Sequence, residues 1–138
     1  MDSDHHIEVL YRLINDDQYS EADQLLGRLR AGGKCDVELL LCEAICRYED
    51  GDDVECLKLL ANFVTAAPEH IKTDYATFMA ATCLANLGLF GRALRLLQMV
   101  SPSYPKRDEE MRGLRARLDS GRKAEEFAQT LEDALGHA

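Results

Sequence analysis

The chain is short of most features that would narrow its chemistry. Proline occurs only three times, at 68, 102 and 105, so little interrupts a helix. No stretch alternates apolar and polar residues over the length of a strand, which argues against a sheet. No apolar run approaches the ~20 residues that span a bilayer. The first residues, MDSDHHIEV, lack the basic-then-apolar order of a secretory signal. A cytoplasmic chain is therefore expected. Basic residues are also in deficit: 16 Lys and Arg stand against 25 Asp and Glu, a formal charge of −9. That excess repels nucleic acid and anionic membrane surfaces, so neither is expected as a partner.

Signatures of catalysis are missing too. There is no G-x-S-x-G, no phosphate-binding loop and no dinucleotide glycine fingerprint, so neither an enzyme nor a cofactor is expected. The four histidines (His5, His6, His70 and His137) are not placed by local spacing near a nucleophile. The five cysteines (Cys35, Cys42, Cys46, Cys56 and Cys83) form no CxxC. An odd number without a secretion signal argues against disulfides. Cys42 and Cys46 lie one helical turn apart but fall short of the ligand set zinc needs, and they read as packing residues. EDGDDVE at 49–55 begins like a calcium loop, yet Val54 stands at a ligand position and the glycine is displaced. It reads as a solvated turn. The arginines at 112, 115, 117 and 122 are offset by Asp108, Glu109, Glu110 and Asp119, as on an exposed helix face. No metal site is expected.

What the sequence does contain is helix. Hydrophobic residues make up 46% of the 138, enough for one compact domain. Gly32–Gly33, Gly51 and Gly88 punctuate helix-favouring runs, and glycine suits the residue just past a last turn. Eight helices are expected, at about 4–15, 20–31, 36–49, 53–66, 74–87, 90–100, 107–118 and 122–135. Ser20 (with Asp23 in the box position), Asp52 or Asp53, Thr73 or Asp74, and Asp119 or Ser120 are the expected caps. The last helix carries an apolar stripe of Ala124, Phe127, Ala128, Leu131 and Leu135 at spacings of three and four.

The heptapeptide GLFGRAL at 88–94 explains the order of these helices. Gly88 frees the backbone at a turn. Phe90 fills the bend between two antiparallel helices, and Ala93 lets their backbones approach. QYSEA (Tyr19, Ala22) and GDDVEC (Gly51, Asp53, Cys56) are weaker copies. Aligning Asp17, Gly51 and Gly88 gives spacings of 34 and 37 residues. Pro68 and Pro105 each lie seventeen residues after their turn glycine, where a second helix must stop.

On these residues the chain resembles the tetratricopeptide-repeat family. The resemblance implies an all-α, TPR-like fold of stacked helical hairpins: repeats at about 3–36, 37–70 and 74–107, with C-terminal capping helices over 108–138. The small residue of the first helix is matched by Ala44 and Ala81 but is Leu10 in repeat one. Glu43 and Asp53 replace usual core residues in repeat two. In such arrays the first helix of each pair lines a concave groove. That implies a partner groove of Ile7, Tyr11 and Ile14, then Leu41, Ile45 and Tyr48, then Tyr75, Phe78 and Thr82. The set is apolar and aromatic, which suits an amphipathic helix. Over about 20–100 the chain also resembles the needle-subunit chaperones of bacterial type III secretion. The stretch FMAATCLANLGLFGRAL carries this likeness, with Cys83, Leu87, Gly88, Ala93 and Leu94 in register. It implies a cytoplasmic virulence chaperone that holds a helix of a self-assembling needle subunit and prevents premature polymerisation. A small helical co-chaperone would pack alongside. The alternative is a general TPR scaffold joining two stable components.

Overall fold

The computed structural model describes residues 3–34 and 36–136. Among them there are seven helices and no strand: α1 (Ser3–Asn15), α2 (Tyr19–Ala31), α3 (Val37–Glu49), α4 (Asp53–Ala66), α5 (Thr73–Asn86), α6 (Phe90–Gln98) and α7 (Arg107–Gly136). Consecutive helices pack against one another along the chain, and α1 also meets α3. The architecture is all-α, a stack of helical hairpins closed by α7. In chain order the helices pair as α1–α2, α3–α4 and α5–α6.

Three short turns join the helices within these pairs, and they have one geometry. Asp17, Gly51 and Gly88 occupy the left-handed region, at φ 60°, 81° and 81°. The next amide returns to a carbonyl five residues back: Gln18 to Leu13 at 2.8 Å, Asp52 to Arg47 at 2.9 Å, Leu89 to Leu84 at 2.9 Å. The left-handed residue's own N–H donates three back, to Ile14, Tyr48 and Ala85, each at 3.0 Å. These two bonds satisfy carbonyls that a helix end leaves open. Gly33, at φ 80°, ends α2 the same way, with Lys34 N–H donating to Leu29 at 2.9 Å.

Capping follows the sequence only in part. Asp36 accepts from Glu38 N–H at 2.9 Å and Asp52 from Glu55 N–H at 3.1 Å, as N-caps do. Ser20 is not a cap: α2 begins at Tyr19 and has no side-chain cap. Asp23 instead pairs with Arg47 of α3. Nor do Thr73 and Asp74 cap α5, which is preceded by Lys72 without a side-chain cap. Thr73 Oγ1 lies 3.4 Å from the Ala67 carbonyl, and Asp74 accepts from Ser101 N–H at 3.4 Å. The expected break near 119 is absent as well, because α7 is one helix of 30 residues. No proline or left-handed residue interrupts it. Asp119 pairs with Arg122 and, at 3.3 Å, with Lys123, contacts that run along a continuous helix.

The core forms two clusters that share α5. The larger contains Leu10, Leu41, Leu60 and Phe63, with Ala76 and Cys83 of α5. The smaller contains Ala81 of α5, Ala93, Leu97, Met111 and Leu114. Ala93 is fully buried, as the close approach of α6 requires, and Phe90 packs on the smaller cluster. Cys42, Cys46, Cys56 and Cys83 are all fully buried free thiols. Cys35 and His137 lie outside the described residues. Glu43, a departure from a core residue, is ion-paired with Arg30. Asp53, the other departure, accepts from Asn86 at 3.3 Å.

Candidate protein-binding face

The expected groove residues divide into two groups. Ile7, Ile14, Leu41 and Ile45 are at most 8% exposed and belong to the larger core cluster. They do not line an open channel, and on this point the expectation is corrected. The reason is geometric: α1 packs directly on α3, so the aliphatic residues between them are sealed. Tyr11, Tyr48, Phe78 and Thr82 are half-buried, and Tyr75 is 38% exposed. What an incoming chain meets is therefore a floor of covered aliphatics edged by aromatic rings.

Tyrosine dominates that edge. The chain has five, and every one is half-buried or exposed, with none in the core. Tyr75 is held up to about 12, first by burial and then by the neighbouring Tyr104, Tyr19 and Cys42 groups. Tyr104, ahead of α7, stacks on Phe78 with ring centroids 5.2 Å apart. Tyr48 is raised by burial and by Cys83 across the α3–α5 gap. On α5, Tyr75, Phe78 and Thr82 fall within about 60° of one another at the helical 100° per residue.

The α1 end of this face is polar. Tyr11 donates to Glu38 at 3.2 Å, and its hydroxyl is pushed strongly upward by burial, then by Cys42 and Glu38. Lys72 donates to the same Glu38 oxygen at 2.7 Å and lies 3.7 Å above the Tyr11 ring. This places a cation over an aromatic face and ties α1, α3 and the start of α5 together. His70 stands 4.0 Å from Glu38 and edge-on to Phe63 at 5.1 Å. The sequence reading missed the cluster, since Glu38 and Lys72 sit 34 residues apart with no local signal.

Near the other end, α7 covers part of the face. A cavity of about 130 Å³ lies between α5 and α7, lined by Phe78, Thr82, Ala85, Glu110, Leu114 and Arg117. The capping helix thus covers Phe78 and Thr82 in part and leaves Tyr75 open.

A second opening lies on the other side of α5. Thr73, Ala76, Thr77 and Ala80 floor a groove of about 440 Å³, with Leu57, Ala61 and Val64 of α4 on one wall and, on the other, Leu96 of α6 and Met99 just after it. At 100° per residue these α5 positions point away from Tyr75 and Phe78. The sequence reading did not single it out, although Leu57, Ala61 and Val64 repeat at helical spacing. Among the described residues no group of three or more His, Cys, Asp or Glu is placed to hold a metal, and no helix is long and apolar enough to cross a membrane.

These features define an all-α protein of stacked hairpins with two distinct open surfaces. Comparison with known proteins finds no matching family model, curated protein or solved structure.

Proposed function

We propose that the protein is a binding module that holds an amphipathic helix of a protein client against the tyrosine-edged face of α1, α3 and α5. The single observation behind this is the placement of the tyrosines. None of the five tyrosines is fully buried: Tyr75 is exposed and the other four keep part of the ring open at the edge of the core. Tyrosine offers rigid contact area at low entropic cost and a hydroxyl that stays wet, which is what a recognition surface uses. The aliphatic floor beneath is already packed, so the face is preformed.

Within this reading, the resemblance to TPR proteins and to needle-subunit chaperones supplies the client: a helical subunit that polymerises by burying the helix held here. Occupying that helix in the cytoplasm keeps the subunit monomeric, and a small helical co-chaperone would complete the complex. The test is co-expression with a candidate subunit, followed by size-exclusion chromatography. The expected result is a defined heteromer and a client that is soluble only in its presence. A client that stays soluble alone would favour the scaffold function. Tyr48→Asp with Tyr75→Asp should abolish capture while circular dichroism stays helical. Retained capture by a folded variant would move the client to another surface.

A further inference from the structure

The second half of α7 carries an apolar face that its own chain does not cover. Met111 and Leu114 are the buried residues of α7, and both lie in its first half. Beyond them Phe127 is 70% exposed, Leu131 63% and Leu135 75%. A stripe of five apolar residues at spacings of three and four is not what a solvated helix needs. Helical geometry shows why it stays bare. At 100° per residue, the direction of Met111, Leu114 and Leu118 differs by about 117° from that of Ala124, Phe127, Ala128, Leu131 and Leu135. A helix that seats the first set on α5 and α6 turns the second away from the body.

The same chain leaves the α4–α6 groove open, walled by Leu57, Val64, Leu96 and Met99, with Met99 75% exposed. Its own α7 packs on the other side of α5 and does not reach it. Charge then selects the occupant. On α6, Arg92 and Arg95 precede Leu96 and Met99 by one helical turn each, both exposed and neither ion-paired within the described residues. Glu125 and Glu132, one edge of the α7 stripe, are likewise exposed and unpaired. Two α7 helices paired antiparallel would bring these glutamate edges together, which costs energy. The groove presents arginines to them instead.

We propose that the second half of α7 docks in the α4–α6 groove of a second copy, and that two chains exchange these helices reciprocally. The contact closes with twofold symmetry, so the product is a dimer and not a filament. It uses the side of α5 opposite the tyrosines and stands whether or not the client reading holds.

Sedimentation velocity on the full chain, across a wide concentration series, tests it. The wild type should reach twice the chain mass. Phe127→Asp with Leu131→Asp should remain monomeric, and so should Met99→Asp; all three positions are well exposed, so the helical signal should not change. Mixing these two variants should restore association, because one intact tail meets one intact groove. Arg95→Glu should weaken the dimer, and Glu132→Arg in the same chain should recover it. A monomeric wild type overturns the proposal. So does a Met99→Asp chain that still dimerises, or a mixture of the two variants that stays monomeric.

Discussion

A left-handed residue strains any side chain, and Gly88 avoids that strain by having none. At φ 81° an added Cβ would meet no atom within 4 Å, so only backbone energy opposes a substitution. Gly88→Ala should therefore cost about 1–2 kcal/mol without disturbing packing, and Gly51→Ala the same, in urea melts. A loss of much less would mean that the turn relaxes. Asp17 fills the equivalent place because aspartate tolerates this region better than most residues. That is why the three turns were legible in sequence: positive φ leaves a composition trace. The buried thiols were legible for another reason, their helical spacing. Cys42 and Cys46 are pushed up to about 12 from 9, chiefly by burial. Between those values the unfolded chain releases protons that the folded chain keeps. The folded state then binds more protons, so stability falls as pH rises from 9 toward 12. Cys42→Ala with Cys46→Ala should flatten part of that decline. An unchanged slope would mean that these thiols ionise without unfolding. Cys83 is driven upward by the neighbouring Cys56 thiol and by burial, so it too stays protonated.

At the scale of the helix, a cap is defined by where the backbone leaves the helix, and residue type alone does not locate it. Asp52 meets the condition, and Ser20 stands one residue inside α2. Asp52→Ala should cost about 1 kcal/mol, and Ser20→Ala should stay within about 0.5. Equal effects would refute the assignment. The same limit explains α7. Asp119 and Ser120 read as caps, but neither forces a break, and Gly121 inside an exposed helix costs only about 1 kcal/mol. Ion pairs along 119–123 favour continuation. Which residues of α1 and α3 would be open was not legible either. The repeat pattern marks Ile7, Ile14, Leu41 and Ile45 as one face, but only the packing of α1 on α3 decides that this face is sealed.

Across the whole molecule, stability is divided between two clusters that meet at α5. Ala76 and Cys83 point into the cluster with α3 and α4, and Ala81 points into the one with α6 and α7. Small residues on both sides let α5 serve as a shared wall, so its two cores are joined through one helix and little else. The C-terminal cluster is also the smaller, and α6 has only nine residues. Local opening should therefore begin there and leave the first four helices folded. Leu97→Ala tests the division. Leu97 is 2% exposed, and its truncation should cost about 2–5 kcal/mol of the opening energy of α6 and the first half of α7. In native-state hydrogen exchange, amides there should lose protection while those of α3 and α4 keep theirs. The reverse substitution, Phe63→Ala in the larger cluster, should lower protection everywhere, because α5 cannot stay in place once its other wall is gone. If Leu97→Ala lowers protection evenly from α1 to α7, the molecule opens as one unit and the two clusters are a single core.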